Sequence, residues 1–242
     1  MIDPLNFLNG LFSLIIVITS TIVGIIITLK YKSTGDNTFV LIGISWIGII
    51  CPWWPSAISF LLILFTGTGL SPHFYILIGN LLVPWFVLIY VLGISKMVYK
   101  EKRKPVVIVF FIIAILYDIY LIYYLVVDYT VIGELTGFFD IQYKAGLMIL
   151  LMFYMGVVLV HGFMVIRDAM KSKKPYLKLK GKFLIFAYLF YGVGGVLDAI
   201  VPLTTWTIIL TRTILVLCSI FFYLGFLMPS FVSKSILKEH YA

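Results

Sequence analysis

Charged side chains are scarce in this chain of 242 residues, of which Asp, Glu, Lys and Arg together make up 12%. Soluble domains usually contain about 25% charged and about 45–50% apolar residues. Here 62% of the residues are hydrophobic, and the mean hydropathy is +1.13. This composition excludes a water-soluble globular domain and predicts an integral membrane protein.

Cysteine and catalytic motifs are also lacking. Cys51 and Cys218 lie inside apolar runs, where a cysteine behaves as a small hydrophobic residue. No GxSxG, HExxH, CxxC or Walker-type motif occurs, and these are the patterns that usually indicate hydrolase, metal or nucleotide chemistry. His73, His161 and His240 are predicted at an outer end, inside a span and in the tail, so they do not form one site. We therefore predict no metal, no cofactor and no assigned catalytic residue.

Long apolar runs dominate the sequence. A helix needs about 20 apolar residues to cross about 30 Å of hydrocarbon, and a helix satisfies its own backbone hydrogen bonds in lipid. Seven segments qualify, and they are approximately 8–29, 38–65, 74–95, 106–127, 145–166, 183–203 and 206–232. The sequence thus predicts an all-α, polytopic bundle of seven transmembrane helices, spans 1 to 7, that forms a single domain over residues 1–242.

The basic residues lie on alternate loops. Except for Lys144 and Arg212, every Lys and Arg falls in one of four segments: 30–32, 96–104, 167–182 and 234–238. By the positive-inside rule, these segments are cytoplasmic. The N-terminus is then outside, the C-terminus is in the cytoplasm, and the protein is a multi-pass protein of the cell membrane. The basic segments are expected to contact anionic lipids of the cytoplasmic face rather than nucleic acid.

Ionisable residues inside spans are costly and need a partner or a function. Asp198 in span 6 and Arg212 in span 7 flank the short turn "PLTTWT", each seven residues from Thr205. At 1.5 Å per residue, both lie roughly 10 Å below the outer end of this helical hairpin, so we predict an Asp198–Arg212 ion pair. The pair is either a structural element that fixes helix register or part of a binding or switching site. Asp118, in the tyrosine-rich segment "AILYDIYLIYY", is either a packed residue or an acid that accepts a proton or binds a cation.

The stretch "WIGIICPWWPSAISFLL" (46–62) places Pro52 and Pro55 near the middle of span 2. Each proline removes a backbone donor, so the sequence predicts a kink, interpreted as either simple packing or a hinge. The two indoles, Trp53 and Trp54, lie beside it. Together with Asn80, Asp118, Asp198 and Arg212 they form the predicted ligand-binding pocket in the outer half of the bundle. The loop 128–144, with its acids and aromatics, is a candidate cap for this pocket.

A weak internal repeat relates spans 1–3 to spans 5–7. "TFVLIGISWIG" (38–48) aligns with "KFLIFAYLFYG" (182–192), and "GNLLVPWFVLIYVLG" (79–93) aligns with "TRTILVLCSIFFYLG" (211–225). The alignment matches Asn80 with Arg212 and, when it is extended, Trp54 with Asp198. Many transporters are built from internal repeats, so the alternative interpretation is a carrier in which two three-helix repeats flank span 4 (3+1+3).

The predicted topology resembles that of microbial rhodopsins and G-protein-coupled receptors. Retinal proteins require a lysine in span 7, and "TIILTRTILVLCSIFFYLGFLMP" has none, so retinal binding is rejected. The pattern "KGKFL…G…LDA…PL…R…FFYLGFLMP" (180–229), together with "WIGIICPWWPS", resembles uncharacterised seven-helix membrane proteins of archaea. That resemblance implies a fold but no activity.

These observations favour a receptor or sensor that binds a small ligand and signals to a cytoplasmic protein partner. The alternatives are a carrier of a small solute and a structural membrane subunit. An intramembrane enzyme using Asp118 and Asp198 has no motif to support it.

Overall fold

The computed structural model describes residues 3–99, 101, 103–137 and 139–237. His240 and three lysines of the basic segments, Lys100, Lys102 and Lys238, lie outside the described residues. The helices are Pro4–Leu29, Tyr31–Thr34, Thr38–Ile49, Trp54–Thr66, Pro72–Asn80, Val83–Val98, Arg103–Val127, Ala145–Lys171, Pro175–Ile200, Thr205–Phe226 and Ser230–Leu237. Short 3₁₀ turns cover Cys51–Trp53 and Tyr129–Val131, and strands β1 (Gly133–Leu135) and β2 (Ile141–Tyr143) pair antiparallel.

Seven helical units in the described residues are long and apolar enough to cross a membrane, which confirms the all-α class and the seven-helix prediction. Span 1 is Pro4–Thr34, span 2 Thr38–Thr66, span 3 Pro72–Val98, span 4 Arg103–Val127, span 5 Ala145–Lys171, span 6 Pro175–Ile200 and span 7 Thr205–Phe226.

The helices of spans 6 and 7 end earlier than predicted. Span 6 stops at Ile200 rather than at residue 203, and span 7 stops at Phe226 rather than at residue 232. Pro202 and Pro229 follow these ends, and proline disfavours helical backbone at the preceding residue. Before Pro229, Met228 adopts a left-handed φ of 44°, so the chain turns and begins a separate short helix, Ser230–Leu237.

Span 2 breaks where the prolines predict. Its first helix ends at Ile49, the turn Cys51–Trp53 contains Pro52, and the second helix starts at Trp54 with Pro55 in its first turn. Pro55 packs against span 3, where a β-carbon added to Gly79 would lie 3.0 Å from its ring. The predicted kink is therefore present and is packed against span 3; hinge motion at Pro52 and Pro55 stays a prediction.

Six of the spans form a closed ring. Span 1 packs on span 2, span 2 on span 3, span 3 on span 5, span 5 on span 6, span 6 on span 7, and span 7 on span 1. Span 4 packs outside this ring against span 3 and contacts span 5 through the rings of Tyr117 and Tyr154. Of the 18 residues in its most apolar stretch, only 17% are buried inside the bundle, so most of span 4 is available to lipid.

The two ends of the bundle differ in chemistry. At one end, the basic end, Lys96 donates to Asn37, and Lys180 Nζ donates to the carbonyl of Phe226 at 2.8 Å. At the other, the hairpin end, the strands β1 and β2 fold back onto spans 1, 2 and 3, where Phe139 packs against Phe60. The positive-inside expectation assigns the basic end to the cytoplasm.

Candidate functional site

A cavity of about 530 Å³ lies inside the ring at the hairpin end. Spans 2, 3, 5, 6 and 7, the β-hairpin and the turn 201–203 contribute to its walls. The walls carry three charged side chains, Asp140, Asp198 and Arg212, among aromatic and methionine side chains. Cavities of this size and mixed lining are typical of small-molecule sites.

The predicted ion pair is present in the cavity wall. Arg212 Nη1 lies 3.2 Å from Asp198 Oδ2, and the two side chains are 3% and 14% exposed. Arg212 Nη2 donates to Asn9 Oδ1 at 3.1 Å, while Asp198 Oδ2 accepts the indole N–H of Trp53 at 2.8 Å. Thr211 Oγ1 is 3.4 Å from the other carboxylate oxygen. These contacts join spans 1, 2, 6 and 7 at one depth.

The β-hairpin forms part of the cavity wall. Hydrogen bonds to its main chain attach it to the bundle. The carbonyl of Phe139 accepts from Asn9 Nδ2 at 3.3 Å and from the hydroxyl of Tyr75 at 3.0 Å. Tyr75 also shares a 2.6 Å hydrogen bond with Ser56. Asn9 therefore links Arg212 to the hairpin, and the loop 128–144 contributes side chains to the cavity, as its composition suggested.

The residues predicted for the pocket divide into two groups. Trp53, Asp198, Arg212 and the hinge residue Pro52 line the cavity. The remaining predicted residues do not line it, and each has other neighbours, as described next.

Asn80 is fully buried in span 3, where its Nδ2 donates to the carbonyl of Ile76 and, at 3.1 Å, to the hydroxyl of Tyr143 in the cavity wall. Asp118 accepts the indole N–H of Trp85 at 2.7 Å. It lies on span 4, outside the ring of six spans that encloses the cavity. Both residues are thus one layer removed from the cavity.

Trp54 packs with a small apolar cluster that includes Ile16 and Leu215. Pro55 packs against Gly79 of span 3. His161, which the sequence predicted inside a span, bonds through Nδ1 to the carbonyl of Val157 one turn earlier at 2.8 Å. These three residues have structural contacts and no contact with the cavity.

Sequence reasoning missed most of the aromatic and methionine lining. Tyr75, Tyr143, Tyr154 and Tyr191 line the cavity together with Met148, Met152 and Met155. The methionines in span 5 recur at positions 148, 152 and 155, which is a helical stripe. That spacing was a usable signal, but it identifies a buried face and not what the face encloses.

A layer of aromatic contacts closes the cavity toward the basic end. Trp46 stacks on Phe222 with ring centroids 3.6 Å apart, and the hydroxyls of Tyr90 and Tyr188 form a 2.6 Å hydrogen bond. Beyond this layer lies a smaller space of about 180 Å³, lined by residues that include Phe39, Lys180 and Phe226. Along span 2, residue 49 lines the larger cavity and residue 42 lines the smaller one. The layer that separates the two cavities is therefore roughly 10 Å thick along the helix.

Asp140 differs from Asp198 in its electrostatic surroundings. Burial raises the pKa of Asp140, and this outweighs the hydrogen bond from Thr136 and the more distant charge of Arg212, which act in the opposite direction. The Oδ2 atom of Asp140 accepts from Thr136 Oγ1 at 3.0 Å. Asp140 is thus a carboxylate held in the cavity wall without an ion-pair partner of its own among the described residues.

Comparison with known proteins leaves the site to be interpreted from its own chemistry, because no protein-family model, no curated protein and no solved structure matches this chain. The resemblance to archaeal seven-helix proteins stays a prediction from the sequence.

The ion pair predicts a large stability effect for Arg212→Ala. This substitution leaves Asp198 in the protein interior without a cation, and removing one partner of a buried pair costs about 3–5 kcal/mol. We expect a loss of that order in the free energy of unfolding in detergent. Thr213→Ala, at the exposed neighbouring position, should have little effect, and Asp198→Asn combined with Arg212→Gln should recover part of the loss. Wild-type stability of Arg212→Ala would contradict the pairing.

Asp140 predicts a pH-dependent gain in stability. Because its pKa is raised in the folded protein, the folded state binds the proton more tightly than the unfolded state does, and ionisation costs stability. Asp140→Asn removes this cost, so at neutral pH its Tm should exceed that of the wild type. The gain should be complete above the folded-state pKa and should vanish as the pH falls below the unperturbed value of 3.8.

Asp128→Asn is the control for this experiment, because hydrogen bonds from Thr130 lower the pKa of Asp128. That carboxylate stabilises the fold above pH 3.8, so its replacement should lower Tm at neutral pH. Equal effects of the two substitutions at all pH values would refute the assignment of Asp140 as an uncompensated acid.

Proposed function

We propose that this protein is a membrane receptor or sensor that binds a small organic molecule in the cavity at the hairpin end. The observation that supports the proposal is the asymmetry of the interior. A cavity of about 530 Å³ with a buried ion pair lies at one end, and an aromatic layer separates it from the other end. A structural subunit has no need for such a cavity.

The break in span 2 provides a route from ligand to conformational change. Pro52 and Trp53 lie in the 3₁₀ turn and line the cavity, and the indole of Trp53 donates to Asp198. A ligand that contacts Asp198 competes with this hydrogen bond and shifts the turn. Trp46, on the other side of the turn, stacks on Phe222. Movement of span 2 therefore alters the packing of span 7 toward the basic end.

The basic end is the proposed output surface. With the positive-inside orientation, it faces the cytoplasm, where anionic lipids and a cytoplasmic protein partner would contact it. A ligand can shift this equilibrium only if it binds one helix arrangement more tightly than the other. We expect the bound and unbound helix arrangements to differ in the Trp53–Asp198 hydrogen bond and in the position of these two side chains at the cavity.

A carrier of a small solute is the second candidate, and the ring of six spans favours it. If span 1 is exchanged with span 5, span 2 with span 6 and span 3 with span 7, every neighbour relation in the ring is reproduced. The exchange also relates two of the cross-ring contacts, Trp46–Phe222 between spans 2 and 7 and Tyr90–Tyr188 between spans 3 and 6. The sequence repeat aligns Tyr90 with Phe222. In a carrier, this aromatic layer would be the inner gate between the two spaces.

Filling the cavity tests the proposed ligand site. Met152→Trp adds bulk to the cavity wall and should abolish binding of any ligand found by screening a panel of small organic molecules for a rise in Tm of the purified protein. Ile149→Trp is the matched control, because it places the same side chain on span 5 at a position that is 67% exposed. A ligand whose binding survives Met152→Trp would show that the cavity is not its site.

Reconstitution in liposomes separates a sensor from a carrier. We expect the labelled ligand to bind wild-type proteoliposomes without accumulating inside them. Accumulation that Met152→Trp abolishes and Ile149→Trp preserves would instead favour the carrier. In that case Tyr188→Phe, which removes one hydroxyl of the Tyr90–Tyr188 contact, should change the flux but leave binding intact.

A further inference from the structure

The charge that a molecule in the cavity would meet is negative. Asp140, Asp198 and Arg212 are the charged residues of its lining. The side chain of Arg212 is only 3% exposed, against 14% for Asp198. Its Nε and Nη1 atoms are fully buried and make no hydrogen bond among the described residues, and Nη1 is matched by the ion pair with Asp198. The guanidinium is thus enclosed by its protein neighbours, whereas the carboxylate of Asp198 is more accessible.

The two carboxylates also outnumber the cation. In the part of the chain that the structure describes, the ion pairs are Arg212–Asp198 and the exposed Lys144–Glu134. Asp140 is in neither, and its neighbours in the wall are Thr136 and the main chain of Ile141. Asp140 is partly buried, and withdrawing a carboxylate from water without a counter-ion is unfavourable, so a cation beside it would offset that cost.

The aromatic side chains suit the same kind of ligand. Five aromatic residues line the cavity: Trp53, Tyr75, Tyr143, Tyr154 and Tyr191. The face of an aromatic ring attracts an organic cation, most strongly when water is excluded. The methionines provide adaptable apolar surface for the rest of the molecule.

We infer that the cavity binds an organic cation, a protonated or quaternary amine on an apolar body. The ammonium group lies beside Asp140 and Asp198, and the body packs against the aromatic and methionine side chains. An anion of the same size would place its charge against two carboxylates, and a neutral molecule would leave Asp140 uncompensated. The inference rests on the proposed function, because it names the ligand class of the same cavity.

Matched probes test the charge separately from the shape. Choline esters of short carboxylic acids are compared with their 3,3-dimethylbutyl analogues, in which carbon replaces the quaternary nitrogen, and with alkylsulfonates. Binding to the full chain in lipid nanodiscs is measured by isothermal titration calorimetry. We expect the Kd of the cation to be at least about tenfold lower than that of its neutral analogue, because its contacts with aromatic rings and with carboxylates both depend on charge.

Variants at one position assign the preference to the cavity. Asp140→Asn should remove most of the preference for the cation, and Asp140→Glu should retain it. Asp128→Asn, an identical change in the same loop at an exposed position outside the lining, should leave it unchanged. Met152→Trp should abolish binding of cation and neutral analogue alike.

Two results would overturn the inference in distinguishable ways. If neutral analogue or sulfonate binds as tightly as the cation and Met152→Trp abolishes that binding, the cavity is a ligand site but its class is wrong. If none of the probes binds and the wider panel also yields no ligand that Met152→Trp displaces, both the inference and the proposed function fail.

Discussion

The ion pair between Arg212 and Asp198 is the constraint on which the rest of this structure depends. Two charges within a membrane-spanning bundle are tolerated only if each is matched and further hydrogen-bonded. Here the matching recruits Asn9 from span 1 and Trp53 from span 2, so four spans must meet at the depth of Arg212. The cavity is the space that this meeting leaves toward spans 3 and 5.

The break in span 2 follows from the same requirement. In a straight span 2 the side chains would keep regular helical spacing. The 3₁₀ turn at Cys51–Trp53 changes the direction of the Trp53 side chain, so that its indole donates to Asp198. Such irregular backbone is tolerated at membrane depth where it is buried in protein or lines a cavity. Pro52 meets the second condition, because it lines the cavity. Stability and the proposed binding function thus use the same turn.

The parts of this structure that could be predicted from the sequence are those set by local pattern. Apolar run length defined the seven helices, prolines located the break in span 2, and equal spacing from a short turn paired Asp198 with Arg212. The lining of the cavity depends on how spans from distant parts of the chain rotate about their axes, which one sequence does not specify. Asp118 and Trp54 were therefore grouped with the pocket because of their depth, although they face other neighbours. Asp140 was visible only as one acid in a loop.

The β-hairpin is attached to the bundle through the carbonyl of Phe139, which accepts from Asn9 and Tyr75. Every residue type supplies the same carbonyl, so these two bonds do not require any particular hairpin sequence. Substitutions at strand positions other than Tyr143, whose hydroxyl is bound by Asn80, can then change the hairpin's part of the cavity wall while these two bonds are retained. Part of the cavity wall can therefore diversify in sequence without loss of the main-chain bonds that attach the hairpin to the bundle.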